Sequence, residues 1–488
     1  MTLRELLRDV EVVGSIPGCE ISALTSDSRQ VEAGSVFFCI PGIRIDGHDY
    51  AAQALEKGAA AIVCQRDLGL EKQVLVADTR VALGQCASNF FDRPTEKLKL
   101  IGITGTNGKT TVTYMVKHML EAAGKTVGLI GTIRNEIDDI TLPAKYTTPD
   151  PIQLHAMFER MVQAGCEYVV MEASSHALDQ HRLAGVTFDV AAFTNLTQDH
   201  LDYHGTMEAY FAAKRKLFDI CEHAVINYDD EYGRRILSEA SCPCASYAQK
   251  SSKADLTAHD VQFTAQGSRF VLMAGGELYR VTMRMPGEFS VSNALAAAGC
   301  CLAAGIDIQA VVSGLASCPG VPGRIEILPA DTPYTIIRDY AHSPDGLQKI
   351  LETLREFATG RVVCLFGAAG NRDRTKRSVM GEIVSRLADF IILTSDNPRD
   401  EDQTRIINDI LPGVKKHKTP YKIIPDRYEA IEWGLKNAQP GDILLLAGKG
   451  HEDYQVLDYG TINFDEKVIV AQLLGELGQQ TKDEGSQP

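Results

Sequence analysis

Short apolar runs bounded by polar, glycine-rich breaks recur along the chain. They alternate with segments whose apolar residues return every three or four positions. The first kind reads as buried strands and the second as helices that cover a sheet. Residues 1 to about 98 show short apolar strands and one helix, read over "YAAQALEKGAAAIVC". The turn-rich "FDRPTEKLK" then leads into "LIGITG", a buried strand. Next come "TVTYMVKHMLEAAG" as a helix, "TVGLIGT" as a strand, "PIQLHAMFERMVQAGC" as a helix and "EYVVMEASS" as a strand. That order predicts a parallel sheet with helices on both faces. A second break, "ASCPGVPGR" at 316–324, holds two Pro and two Gly. The alternation restarts after it, through "TIIRDYA", "DGLQKILETLREFA", "RVVCLFGAAG", "SVMGEIVSRLA", "DFIILTSDNP", "YEAIEWGLKNA" and "DILLLAGKG". The fold expected is α/β in three domains: a small α/β domain over 1–98, a central doubly wound sheet with a phosphate loop over 99–322, and a Rossmann-like sheet over 323–488. Residues 478–488, "GQQTKDEGSQP", read as a disordered tail.

Length agrees, since 488 residues allow about three domains of ordinary size. The net charge of −15 argues against a nucleic-acid partner, which needs a basic face. No apolar stretch approaches the roughly 20 residues that cross a bilayer, so membrane insertion is not expected. The start, "MTLRELLRDVEVV", lacks the apolar core of a signal peptide. Twelve cysteines sit mostly singly in apolar runs with no C-x-x-C pair, which fits reduced thiols and a cytoplasmic protein.

Candidate chemistry begins at "IGITGTNGKTT", 101–111. The common phosphate loop, G-x-x-x-x-G-K-[ST], would need Gly at 103, where the chain has Ile. Its glycines fall instead at 102, 105 and 108. The stretch still follows an apolar strand and opens a helix, the setting in which backbone N–H groups face an anion. Gly105, Thr106, Asn107 and Gly108 are candidates to contact the nucleotide, Lys109 would reach the terminal phosphates, and Thr110 and Thr111 could offer a hydroxyl to Mg²⁺. Glu172 ends a strand and is a candidate second metal ligand. Asp199, His200, Asp202, Tyr203 and His204 crowd into six residues. The His200–His204 spacing suits zinc, but a zinc-protease helix needs Glu at 201, where the chain has Leu; a hard cation beside a triphosphate fits better. By composition Lys214 reads as a solvated lysine beside Arg215 and Lys216, and Asn293 as the polar cap of a packing helix. In the last domain, polar stretches follow four apolar strands, where open α/β sheets bind ligands. Arg372, Arg374, Arg377 and Arg399 supply forks for a carboxylate or phosphate. Asp396, Asp400 and Glu452 could pair with an amine. The expected ligand carries both charges, as an amino acid does.

The loop, with "YTTP", "MEASSHAL", "NLTQDHLDYHG", "DYAHSPDGL", "DNPR" and "GKGHEDYQ", closely resembles the Mur ligases over about residues 20–470. The resemblance implies an ATP-dependent amide ligase of peptidoglycan precursor synthesis, a monomer, with UDP, ATP and the incoming amino acid each on one domain and closure before chemistry. It implies that meso-diaminopimelate is joined to UDP-N-acetylmuramoyl-L-alanyl-D-glutamate through an acyl phosphate. Ser26 and Ser28 would face the UDP-sugar, and Thr147, Thr148, Ser174, Gln180 and Arg182 the sugar-peptide. Lys109, Thr110, Glu172 and His200 would serve ATP and Mg²⁺, with Lys214 as a carbamate. Asn293, Arg324, Asp339 and His342 would contact the nucleotide. Arg372, Asp396, Asn397, Pro398, Arg399, Gly448 and Glu452 would hold the amino acid. The second carboxylate of meso-diaminopimelate suits Arg399 and Arg372; lysine would leave them unpaired. Residues 42–50, "GIRIDGHDY", depart from the family's uracil-contacting loop. A lysine-adding relative, a folylpolyglutamate synthase-like ligase and a non-catalytic ATP switch remain the alternatives.

Overall fold

Apolar runs of four to seven residues become the buried strands of three parallel-rich sheets in a computed structural model. The structure describes residues 1–42, 45–138, 140–264 and 267–484. The described chain forms two compact units. One comprises Met1–His259, Leu272–Tyr279 and Ser292–Leu315; the other comprises Asp260–Val271, Arg280–Val291 and Ala316–Pro488. The α/β class expected from the pattern is the class observed.

In the first unit, the N-terminal sheet pairs Ala23–Thr25, Ser35–Phe38, Ala61–Cys64 and Gln73–Val76 in parallel, with Val12–Val13 antiparallel at one edge. The long helix read over 50–64 is corrected here. The helix covers only Ala51–Glu56, because Gly58 takes a left-handed φ of 99°, and the following apolar run is a strand. A helix absent from the sequence reading, Thr79–Phe90, starts where the Asp78 carboxylate accepts from Arg80 N and Val81 N.

The central sheet places the strand Lys99–Thr104 between Tyr168–Glu172 and Phe188–Phe193, all parallel. Val127–Ile130 flanks one side, and Cys221–Asn227 then Cys244–Ala248 the other. Strands later in the chain thus lie on both sides of Lys99–Thr104. That reversal opens a crevice at the carboxyl ends of the strands, where ligands bind in such sheets. The register pairs Glu172 with Ile103 and Phe193 with Thr104, so the loops after these strands leave the sheet at one level. Helices Lys109–Ala122 and Pro151–Gln163 cover the sheet with buried Met115, Val116, Met119, Leu154 and Phe158.

In the second unit the sheet order is Glu326–Ile327, Thr335–Asp339, Ile443–Ala447, Val362–Phe366, Phe390–Leu393, Tyr421–Ile423. Only the first pairing is antiparallel. Separate apolar cores lie on the two faces, one around Leu347, Leu351 and Val384, the other around Ile431, Leu435 and Val470. The C-terminal helix runs Glu466–Glu484, so the expected disordered tail is corrected as far as residue 484; residues 485–488 lie outside the described residues.

Candidate active site

The odd glycine spacing resolves by position. Gly102 lies inside the strand Lys99–Thr104, where a Cβ would sit 2.8 Å from two carbons of the Phe188 ring. It is a packing glycine. The loop itself runs from Gly105, φ 145°, to Gly108, φ 88°, the N-cap of helix Lys109–Ala122. A Cβ on Gly105 would collide with the Thr194 hydroxyl, and one on Gly108 with Asn293 Oδ1. The loop is held from the neighbouring strand end. Thr106 N donates to Asn195 O (2.8 Å), Asn107 N to Asn195 Oδ1 (3.0 Å), and Thr194 Oγ1 to Asn107 O (2.6 Å). The N-cap is a glycine and offers no side chain of its own to the helix start, a setting that suits an anion.

Two lysines converge on this loop. Lys109 Nζ donates to Gly105 O and Thr106 O at 2.9 Å each, and Lys214 Nζ donates to the same Gly105 O at 2.6 Å. Lys214 is buried in helix Met207–Arg215, 4.5 Å over the Tyr210 ring. The solvated-lysine reading from composition is therefore corrected. Among the described residues no carboxylate lies within ion-pair distance of Lys214. Burial, with Lys109 close by, pushes its amine well below the usual lysine range.

Beside the lysines, the buried Glu172 carboxylate accepts from Thr110 Oγ1 (3.0 Å to each oxygen), Thr132 N (2.8 Å) and Thr132 Oγ1 (3.0 Å). Thr148 Oγ1 donates to Glu172 O (2.7 Å), and Arg182 donates to Thr148 O (3.0 Å) and Gln180 Oε1 (2.7 Å). Ser174 N donates to Thr148 Oγ1 at 3.1 Å, and Thr147 Oγ1 lies 3.1 Å from Thr132 Oγ1. Fold and hydrogen bonds thus bring together Thr110, Thr147, Thr148, Glu172, Ser174, Gln180 and Arg182. His200 sits nearby in the left-handed region, φ 51°, with its ring edge-on to His176 at 4.9 Å. Burial, with His200 and His204 adjacent, lowers His176 to about 4; burial also lowers His200 and His204. His176 was missed in the sequence, where nothing distinguished it from a helical surface histidine. Asp179, Asp202, Tyr203, His204 and Ala209 line a cleft of about 360 Å³. Ser26 and Ser28 occupy a separate turn after Ala23–Thr25, where Lys57 Nζ donates to Ser28 O at 2.7 Å.

In the second unit, Asp339 is buried and accepts from Ile325 N and Ala341 N at 2.8 Å each; burial raises its carboxyl. Arg324 lies 4.5 Å over the Tyr340 ring, and His342 contacts the same residue. The four arginines separate into two kinds. Arg377 is fully buried and bound to Glu401 (3.0 Å), Asp409 (2.8 Å) and Ala369 O (3.1 Å), and Arg374 pairs with Glu401 at 3.1 Å. Arg377 holds the Glu401 carboxyl down at about 2. Arg377 is not a free fork, so that expectation is corrected for it, while Arg374 gives one nitrogen to Glu401 and keeps a half-exposed side chain. Arg372 is exposed, and Arg399 (φ 54°) spends one N–H on Gly370 O at 2.7 Å. Asp400 accepts from Asn371 Nδ2 at 3.0 Å. Asp396, Asn397 and Glu452 come together around Lys449, a buried lysine the sequence reading passed over. Arg427, also missed, donates to Ser395 O (3.0 Å) and Ala447 O (2.9 Å), joining the strand ends that carry Asp396 and Gly448.

A doubly wound sheet with a glycine loop, a first-turn threonine and a strand-end carboxylate defines a phosphate-loop nucleotide-binding protein. Family models narrow this. A Mur ligase catalytic domain matches residues 20–91, a Mur ligase middle domain 103–301, and a Mur ligase glutamate ligase domain 323–450. The chain is 46% identical over 484 residues to UDP-N-acetylmuramoyl-L-alanyl-D-glutamate--2,6-diaminopimelate ligase 1 of Clostridium acetobutylicum, covering 98% of this chain and 100% of that protein. It is 43% identical to the corresponding Clostridium tetani ligase, with 98% and 100% covered. A solved structure of a UDP-N-acetylmuramoyl-L-alanyl-D-glutamate--2,6-diaminopimelate ligase superposes with a TM-score of 0.75 at 32% identity, covering 98% of this chain and 99% of that one. The chain belongs to the Mur ligase family.

Proposed function

We propose that this chain joins meso-diaminopimelate to UDP-N-acetylmuramoyl-L-alanyl-D-glutamate, with ATP converted to ADP and phosphate. The reading is carried by Lys109 and Lys214 on the Gly105 carbonyl, beside the Thr110–Glu172 pair. The Lys109 cation and a helix N-terminus favour a triphosphate there. The names of the relatives supply the substrates.

In this reading the γ-carboxylate of the D-glutamyl residue attacks the terminal phosphorus of ATP, ADP leaves, and an acyl phosphate forms. The amine of the incoming amino acid adds to the acyl carbon and loses a proton. Collapse expels phosphate and leaves an amide. Lys109 offsets charge on the transferring phosphoryl group. Thr110, Glu172, His200 and Lys214 would hold Mg²⁺, which supplies charge neutralisation at the phosphates when bound. Three of these offer hard or borderline donors as they stand. Lys214 fits once its amine, which burial makes easier to deprotonate, adds CO₂ and releases a proton to become a carbamate. Asn293, Arg324, Asp339 and His342 are assigned to the nucleotide, and Ser26 and Ser28 to the UDP end. Thr147, Thr148, Ser174, Gln180 and Arg182 are assigned to the sugar-peptide. Arg372, Asp396, Asn397, Pro398, Arg399, Gly448 and Glu452 are assigned to the amino acid. The matching division is 1–98 for UDP, 99–322 for ATP and 323–488 for the amino acid, in a cytoplasmic enzyme.

Phosphate release from ATP with the UDP-dipeptide, measured against a panel of amino acids, tests this. Release is expected with meso-diaminopimelate. Release that ignores the amino acid would sink the ligase reading, and release with lysine alone would sink the specificity.

A further inference from the structure

Lys449 follows the strand Ile443–Ala447 and is fully buried. A buried ammonium persists only where charge and hydrogen bonds compensate it. Its Nζ donates to Tyr454 O (2.6 Å) and Asn397 Oδ1 (3.1 Å). Glu452 Oε2 lies 3.5 Å away and Asp396 Oδ1 3.9 Å away. The second separation is beyond hydrogen-bond range, and among the described residues the buried Asp396 Oδ1 has no hydrogen-bond partner. A buried carboxylate oxygen in that state calls for another donor.

Asn397 is oriented by the same lysine. Its Oδ1 accepts from Lys449 Nζ and from Val456 N (3.0 Å), and its Nδ2 donates to Glu452 Oε2 (2.9 Å). A flipped amide would turn its N–H groups toward an ammonium and a backbone N–H, and its oxygen toward a carboxylate. Lys449 therefore sets which way Asn397 points, and through it where Glu452 rests. Two carboxylates, Asp396 and Glu452, face the single amine of Lys449, which burial lowers and the carboxylates raise. The other charged groups near it, Arg427 and Glu466, form a closed pair at 2.7 Å, and the titratable Tyr340 and Tyr454 are neutral. One ligand ammonium would balance the cluster.

We propose that Lys449 is a positioning residue for the amine of the incoming amino acid: it orients Asn397 and Glu452 and leaves Asp396 Oδ1 to receive the ammonium. The inference rests on the amino-acid site proposed above.

The test is a kinetic double-mutant cycle on the full-length chain with Lys449→Met and Asn397→Ala. Lys449→Met is expected to raise the KM for diaminopimelate about tenfold or more, with the KM values for ATP and the UDP-dipeptide moved less than about twofold. In the Asn397→Ala background the same change is expected to move that KM by less than about twofold, because the group it orients is gone. Equal losses in both backgrounds, or a loss shared by all three substrates, would overturn the proposal. If Lys449→Met does not fold by circular dichroism, Lys449→Gln takes its place under the same criteria. Wild-type turnover that is indifferent to diaminopimelate would remove the site itself. Normal wild-type turnover with an unchanged KM in the variant would remove only the role of Lys449.

Discussion

At the scale of single residues, Lys214 carries the sharpest contrast. Its sequence neighbours Arg215 and Lys216 are partly exposed, while Lys214 is 1% exposed and donates to a loop carbonyl. A buried amine with no carboxylate partner is uncharged more easily and can react with CO₂. Lys214→Ala is expected to lose activity at least about 100-fold, with no recovery on added bicarbonate, in the phosphate-release assay. Full activity in that variant would remove the carbamate role. Gly108 makes a second case. Alanine there must adopt φ 88° and collide with Asn293 Oδ1. Gly108→Ala is expected to destabilise the protein by about 1–3 kcal/mol in urea unfolding and to weaken nucleotide binding.

At the scale of elements, Gly102 belongs to a strand and not to a ligand. Its missing side chain is the space occupied by the Phe188 ring on the neighbouring strand. Gly102→Ala is expected to cost about 1–3 kcal/mol by overpacking. Phe188→Leu in the same chain should restore part of that loss, with the KM for ATP unchanged by the pair. A raised KM without rescue would place Gly102 in the phosphate cradle instead. The same scale explains the arginines. Arg377 lies in the first turns of helix Thr375–Leu387 and is drawn into the carboxylates Glu401 and Asp409. Arg399, two positions before Glu401, stays on the loop after its strand.

At the scale of the whole molecule, one buried histidine links stability to pH. His155 is fully buried in helix Pro151–Gln163, and among the described residues neither ring nitrogen has a partner within hydrogen-bond geometry. Burial lowers it from 6.5 to about 4, with the nearby Ala184 backbone offsetting part of the effect. The unfolded chain then binds a proton that the folded chain refuses between these values. Stability contributed by the neutral ring is full above pH 6.5 and is lost as pH falls toward about 4. The loss is about 2 kcal/mol at pH 5. His155→Leu should flatten the fall in Tm between pH 7 and 5; an equally steep fall would exclude His155 as its source. Nucleotide binding acts at the same scale. ADP with Mg²⁺ should raise Tm in proportion to the logarithm of concentration, and Lys109→Met should abolish the rise.

The amino-acid sequence by itself determined the strand and helix alternation, the glycine-rich strand-to-helix turn within 101–111 and the strand-end position of Glu172, because burial periodicity and glycine placement are local properties. Its errors were local too: the helix over 50–64 ignored the stop at Gly58, and Thr79–Phe90 went unread because its apolar pattern is weak. What only the tertiary structure decided were relations across the sheet. Strand order put Lys214 on the carbonyl of Gly105 and Phe188 against Gly102. In the other unit, strand order closed Arg377 on Glu401 and buried Lys449 among Asp396, Asn397 and Glu452. Each of these depends on which strands are neighbours and in what register. No spacing along the chain carries that, since residues far apart in sequence share a site only after the sheet has formed.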